Sequence, residues 1–326
     1  MKSQPAPTPV FEAYWRFAAE RHRIWEARRQ GLPAPWTADP VLTRYKFCNA
    51  FRCLDRVSQF CIGEVIAKGS QTPEEIFFRV MLFKLFNHID TWDLLKVTCG
   101  DVPSWKDFDA LAYAVPLKAA LKKGKTIFGG AYRLNQKYRV DLEWKHERYL
   151  ALLQFAMEQG TVFKLLNAKT YEQAYWVMRE LPLHGSFVAM QHVCDLNYTE
   201  LLPFDEDDFI ECGPGCLNGI QKCLGIELKS TNRTDMRLAA AIIKYCVDNQ
   251  ENYFAAIGEK PVTLGGRRLK LVDLQNCMCE VDKMARISHP EYNLDESEMK
   301  RGYDPAAARA LPPMTLPAKW GLSIAE

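Results

Sequence analysis

Two short runs of this chain carry polar residues that can grip phosphate, read a base edge or move a proton, spaced about one helical turn apart. In RYKFCNAFRCLDRVSQF, Asn49, Arg52, Arg56 and Gln59 repeat on one side, with Asp55 at its edge. Phe47, Phe51, Leu54 and Cys61 repeat on the other and are expected to face a core. Two arginines one turn apart can hold a phosphate bidentately. Asn and Gln can pair with the edge of a base. In DLQNCMCEVDKMAR, Leu274, Cys277, Met278 and Val281 form the apolar side, and Asp273, Asn276, Glu280 and Lys283 the polar one. Glu280 and Lys283 are spaced for a plain ion pair, or for a general base beside an anion clamp. Solvated faces are usually rich in Lys and Glu. The Asn, Gln, Arg and Asp of the first run point instead to a site. The two runs lie more than 200 residues apart and are expected to converge on one pocket.

The elements that must position them read as helices. Residues 1–10 are Pro-rich and expected to be loose. Residues 11–30 read as a helix with Phe11, Trp15, Ala18 and Trp25 on one face. GLPAPWTADP breaks it, because Pro35 and Pro40 cannot sit inside a helix. A second helix is expected from about Asp39 through Ile66. Others follow at 73–87, 105–122, 143–158, 170–180, 186–196, 216–224, 233–248 and 270–287. PVTLGGRRLKL predicts a small hairpin around Gly265-Gly266. No internal repeat is visible. Strand-like alternation is scarce, so the fold expected is mostly α. Residues 1–288 are expected to form a single helical DNA-binding catalytic domain, with two lobes meeting near residues 181–187 as a variant. Residues 289–326 read as an irregular tail.

The bulk numbers narrow the partners. With 326 residues and 48% hydrophobic content the chain can bury a substantial core. Its formal charge is only +2, so any nucleic-acid face must be local. Residues 116–150 hold nine basic residues (Lys118, Lys122, Lys123, Lys125, Arg133, Lys137, Arg139, Lys145, Arg148) against three acidic ones. Such a block can neutralise phosphates, although a solvated helix face is the plain alternative. Residues 195–211 carry seven acidic residues and no basic one, and would repel a phosphate backbone. Eleven cysteines in no disulfide-like framework suggest a reducing cytoplasm. Cys212, Cys216 and Cys223 lack the paired C-x-x-C spacing of a zinc site, so no metal is expected. No cofactor is implied. No signal peptide and no membrane-spanning run is visible. No GxxxxGK[ST] phosphate loop occurs, which speaks against a P-loop kinase domain.

Two segments suggest how DNA would be held. LPLHGSF, residues 181–187, lies between the helix-like runs TYEQAYWVMRE and FVAMQHVCDL. CGPGCLNGIQKCLG follows at 212–225. Together they resemble the layout of a helix-hairpin-helix DNA glycosylase. That resemblance implies a hairpin, His184-Gly185-Ser186, that grips a backbone phosphate, and a nucleotide turned out of the duplex. It does not carry over glycosylase chemistry. Pro214 stands where glycosylases have a catalytic Asp, and Phe187 where lyase-type members have Lys.

A second resemblance is longer. The run YWRFAAERHRIWEARRQGLPAPWTADPVLTRYKFCNAFRCLDRVSQF, with its PWTxDP…YKFxNxxRxxDRxSQ pattern, resembles the opening of the thymine-hypermodifying enzymes of DNA phages. These are the alpha-glutamyl/putrescinyl thymine pyrophosphorylase family, which includes amino acid:DNA transferases and the helical domain of hydroxymethyluracil DNA kinases. The likeness continues through LPLHGSFVAMQHVCDLNY, the GPG turn and LVDLQNCMCEVDKMAR, covering most of residues 11–287. It implies a transferase in the infected bacterial cytoplasm. Its reaction would replace the phosphate of 5-phosphomethyl-deoxyuridine in double-stranded DNA with a free amino acid, glycine first. Under that reading Asn49, Arg52, Arg56 and Gln59 take the phosphate and the base. Asp55, Asp195 or Glu280 deprotonates the amine, and Asn276 with Lys283 takes the amino-acid carboxylate. Lys122, Lys123 and Lys125 join the hairpin on the DNA backbone. A route through addition of Cys48 or Cys212 to the uracil C6 is an alternative to direct displacement. A kinase-type member acting on 5-hydroxymethyluracil, or a DNA-binding module without turnover, are the rival functions.

Overall fold

The computed structural model describes residues 6–131, 134, 138–293, 299, 302–308 and 310–322. Arg133 and Lys137 of the basic block lie outside them. The described residues are mostly helical. The helices are α1 (Pro9–Arg29), α2 (Pro40–Arg44), α3 (Arg56–Phe60), α4 (Pro73–Phe86), α5 (Ile89–Cys99), α6 (Ala110–Lys122), α7 (Lys145–Glu158), α8 (Thr161–Asn167), α9 (Tyr171–Arg179), α10 (Ser186–Leu196), α11 (Pro214–Leu224), α12 (Arg233–Asp248), α13 (Gln250–Ala256) and α14 (Leu271–Ser288). Strands β1 (Thr263–Leu264) and β2 (Arg267–Arg268) pair antiparallel across Gly265-Gly266, as the sequence predicts. Described tail residues beyond α14 form short 3-10 turns and one isolated bridge, Gly302 with Tyr45.

The chain divides into two compact units. One comprises residues 1–55, 210–314 and 323–326; the other comprises 56–209 and 315–322. In the first, α14 packs against α1, α11 and α12. Its Leu274, Cys277, Met278 and Val281 are all buried, as their helical spacing demands. Tyr14 of α1 donates to the Leu274 carbonyl at 3.0 Å. Gly215 and Gly219 let α11 lie directly on α14. A Cβ at 219 would overlap the Met278 carbonyl oxygen, and one at 215 the Cys279 sulfur. Gly215 of the GPG run and Gly219 thus serve helix contact. Gly219→Ala is expected to destabilise the fold by about 2–3 kcal/mol through overpacking, readable as a lowered urea midpoint. An unchanged midpoint would mean the helices separate freely here.

In the second unit, α4 is apolar nearly all round and is buried from Ile76 through Phe86. It packs against α7, α8 and α10. Lys84 and Arg79 are its buried cations. Arg79 donates to the Val65 and Ser70 carbonyls. Lys84 Nζ lies 2.9 Å from both Asp195 Oδ2 and Asn87 Oδ1.

Two expectations need correction. Residues 1–10 are not all loose, because Pro9 and Val10 already belong to α1, capped by Thr8. The helix expected from Asp39 to Ile66 is also broken. Asp39 caps α2 and Pro40 opens it, but the chain leaves helical geometry at Tyr45 (φ −127°, ψ 146°). A 3-10 turn spans Arg52–Leu54, α3 follows, and Cys61–Ile66 winds as a π-helix. The cause lies in the N–H groups of residues 48–52. Those of Cys48, Asn49 and Arg52 donate to the carboxylates of Glu280, Asp55 and Asp273 at 3.1, 2.9 and 2.8 Å. A helix would have needed those donors for its own carbonyls.

Candidate active site

The loop 45–55 and α14 build a charged cluster within the first unit. Arg21, projecting from α1, braces the loop. Its Nε donates to the Cys48 carbonyl at 2.9 Å, and its Nη2 to the Phe47 carbonyl and to Asn49 Oδ1 at 3.3 and 3.0 Å. Asn49 Nδ2 donates to the Leu54 carbonyl at 2.8 Å and closes the turn. Asp273 caps α14 by accepting from Lys270 N at 3.0 Å, and meets Arg267 at 3.3 Å. Arg52 is 3% exposed. Asn49, Arg52, Asp55, Asp273, Glu280 and Lys283 therefore share one cluster, with Asn276 one turn before Glu280 on α14.

The three candidate bases have different surroundings. Both oxygens of Glu280 are engaged, Oε2 with the Cys48 N–H and Oε1 with Lys283 Nζ at 2.5 Å. Asp195 is completely buried in the other unit against Lys84. Asp55 accepts the Asn49 N–H on Oδ1; among the described residues no hydrogen bond reaches its Oδ2. Its carboxyl is pushed up to about 6. Burial is the main cause and Glu280 adds to it, while the Asn49 N–H, Arg21 and Arg52 oppose the rise. Such a group exchanges a proton near neutral pH.

The cations and thiols follow the same logic. Burial opposes the charge of Lys283, but Glu280 and then Cys279 outweigh it and hold the ammonium well above the usual lysine range. The Lys283 side chain is 40% exposed, so part of it reaches solvent. Asn276 Nδ2 is a buried donor without a partner among the described residues. Burial, with Asp55 and Glu280, drives the Cys48 thiol well up. Cys48 is thus held protonated, which disfavours the C6-addition route through it. Cys212 is buried.

Other expected site residues are placed elsewhere. Arg56 is exposed and opens α3 of the second unit. Gln59 is buried, with its amide committed to the tail: Nε2 donates to the Thr315 carbonyl at 3.0 Å, and Oε1 accepts the Thr315 N–H at 2.8 Å. It does not face solvent as a base reader. The polar stripe of the first run is therefore not one helix face, because the chain changes conformation three times within it.

Around the hairpin, α9 and α10 are two helices joined by residues 180–185. His184 is buried, contrary to a phosphate contact. Its Nδ1 lies 2.9 Å from the Pro182 carbonyl and its Nε2 2.9 Å from His192 Nδ1. Burial, aided by Arg179, pulls its pKa down to about 4, so the ring is neutral at pH 7. Leu183, not Gly185, takes the left-handed conformation (φ 65°). Gly185 has ordinary helix-start geometry and is exposed, with open space where a Cβ would point. Ser186 opens α10. Lys122, Lys123 and Lys125 are exposed and make no ion pair among the described residues. Their neighbours are committed: Arg139 to Asp141, and Lys145 over the Phe128 and Tyr149 rings.

Arg21 escaped sequence reading. It stands in the buried register of α1 with Tyr14, Phe17 and Trp25. A charge on an apolar face was the available signal, since buried cations require partners.

Comparison with known proteins places this architecture. The sequence profile of the 5-hmdU DNA kinase helical domain matches residues 8–294. The chain belongs to this helical-domain family. A 5-hmdU DNA kinase of Bacillus phage SP10 is 24% identical over 311 residues, covering 90% of this chain and 47% of that protein. The chain thus spans about half the length of that curated relative. No solved structure matches significantly. Among the described residues, no group of three or more His, Cys, Asp or Glu side chains is placed to hold a metal ion. None of their helices is long and apolar enough to cross a membrane.

Proposed function

We propose that this helical-domain family member is a transferase that modifies thymine-derived bases in double-stranded DNA. It replaces the phosphate of 5-phosphomethyl-deoxyuridine with an amino acid, glycine first. The observation that carries the reading is Asp55: a carboxyl near pKa 6 whose Oδ2 has no hydrogen bond among the described residues, in the same cluster as Arg52 and Lys283. The amine nitrogen attacks the exocyclic methylene carbon. The C–O bond to phosphate breaks, phosphate leaves with the electron pair, and the amine proton passes to Asp55. Arg52 stabilises the charge on the departing phosphate. Lys283 and the unpartnered Asn276 amide take the amino-acid carboxylate. The base reaches the site flipped out of the duplex. The proposed chemistry is assigned without Gln59, whose amide is held by Thr315, and without Asp195, which is buried against Lys84.

Duplex DNA rests on a helix-hairpin-helix of the glycosylase type. Exposed Gly185, with open space over it, and the N–H groups at the start of α10 take one backbone phosphate. Lys122, Lys123 and Lys125 take others. Replacing these three lysines by Ala is expected to weaken duplex binding and to lower the slope of log K against log salt by up to about 3, roughly 0.9 for each phosphate no longer neutralised. An unchanged slope in a titration series would place the DNA elsewhere.

The family match favours a second reading, in which the chain is the helical portion of a kinase acting on 5-hydroxymethyluracil in DNA. One experiment separates the two. DNA containing 5-phosphomethyluracil is incubated with a pool of amino acids, and the nucleosides are analysed by mass spectrometry. Nucleosides carrying an amino acid, formed without ATP, support the transferase. A phosphorylated nucleoside formed only from 5-hydroxymethyluracil DNA and ATP, with no amino-acid adduct, overturns it.

A further inference from the structure

A cleft of about 540 Å³ opens within the second unit between the start of α5, the end of α6 and the segment that follows α6. That volume suits a ligand of nucleotide size. Its walls are of two kinds. Leu94, Pro116, Ala119 and Ile127 provide an apolar shelf. Pro116 sits inside α6, where it cannot donate to the Ala112 carbonyl. Lys123 and Lys125 line the same cleft, two ammonium groups separated by one residue. Both are exposed and unpaired among the described residues, so their charge is available.

The remaining polar lining is oriented. The Thr91 hydroxyl donates its single proton to the Ile127 carbonyl at 2.8 Å. His88 Nδ1, 3.1 Å from that hydroxyl oxygen, must then be the donor between them. That bond selects the Nδ1–H tautomer of the neutral ring, in which Nε2 is an acceptor. Asp90, exposed at the rim, is a second acceptor. Two cations, an apolar shelf and two acceptors match a ligand with a phosphate at one end, an apolar ring body, and O–H or N–H donors on that body.

We propose that this cleft is a binding site for a nucleoside monophosphate. Lys123 and Lys125 hold the phosphate, the shelf takes the base, and Asp90 and His88 Nε2 accept from the sugar hydroxyl or the base N–H. The site is separate from the Asp55 cluster and does not rest on the transferase reading; it shares Lys123 and Lys125 with the proposed duplex contact, so the mononucleotide and the duplex backbone compete for these two lysines. The ligand has two sources, a free mononucleotide or the 5′-phosphorylated end of a strand.

The test titrates the full chain with thymidine 5′-monophosphate, thymidine, inorganic phosphate and a 5′-phosphorylated trithymidylate, read by calorimetry. The monophosphate is expected to bind at least tenfold more tightly than thymidine or phosphate. Lys123→Ala with Lys125→Ala, and separately Ala119→Trp on the exposed wall, each weaken it at least tenfold. Lys244→Ala, on the surface of the other unit, leaves it unchanged. Circular dichroism checks that each variant remains folded. Binding of the trinucleotide but not of the free monophosphate also supports the site and assigns the strand as its source. No binding of either, or binding indifferent to Ala119→Trp and to the lysine pair, overturns the proposal.

Discussion

Asp55→Asn is expected to lower turnover about a hundredfold or more while leaving the protein folded. The amide keeps an oxygen to accept the Asn49 N–H, so the loop retains its brace. It loses only the capacity to take a proton. With the carboxyl at about 6, the wild-type rate rises with pH through that value, falling about tenfold per unit on the acid side. In the variant that rise disappears. Stability changes in the opposite sense. The folded pKa lies above the unfolded 3.8, so the fold favours the protonated form. The stability this contributes is fully present below about pH 4 and is lost as pH rises through about 6, amounting to about 3 kcal/mol. Asp55→Asn should therefore be more stable than the wild type in urea at pH 8, with the difference closing at pH 4. A purely structural role for Asp55 does not produce a slower and more stable enzyme. Near-wild-type turnover, or a pH profile that survives the substitution, would sink the assignment.

Lys84→Met is expected to cost about 3–5 kcal/mol, because it leaves the Asp195 carboxylate buried without its cation. The two side chains are 3% and 0% exposed, and Nζ lies 2.9 Å from Oδ2. The loss should appear as a fall in Tm on the order of ten degrees if the second unit melts separately, and a smaller fall if the whole chain melts as one. Adding Asp195→Leu removes the stranded charge and should recover at least half of the loss. An unchanged urea midpoint for Lys84→Met would show that solvent reaches the pair. Its complete burial against Lys84 is the reason Asp195 is not assigned as the base in the proposed reaction.

Periodicity was enough for the long elements. The apolar repeats behind α4, α10, α12 and α14 correspond to buried faces, and the Gly-Gly pair marks the only strand pairing in a named sheet among the described residues. The helices α5, α8 and α13 were not expected from the sequence; α8 and α13, with seven residues each, show too few turns for a period to stand out. The run from Asp39 to Ile66 is the instructive case. Phe47, Phe51, Leu54 and Cys61 are all buried at the spacing that suggested a helix, yet only two short pieces of the run, α2 and α3, are α-helical. Burial followed the pattern; backbone conformation did not.

The residue types were enough to nominate Asn49, Arg52, Asp55, Glu280 and Lys283, since carboxylates, amides and cations at these spacings are what such chemistry requires. Their roles depended on partners distant in sequence. The Cys48 N–H meets a carboxylate 232 positions away and that of Arg52 one 221 away. Those bonds hold the loop out of helical geometry and occupy one oxygen of Glu280; Lys283 on the same helix takes the other, and Asn49 takes one oxygen of Asp55. Likewise His184 and Gln59 read as ligand-facing until their partners, buried His192 and half-buried Thr315, are seen. A side chain's identity limits what it can donate or accept. Which donor it meets, and how much water remains around it, is set by chain segments that come together only on folding.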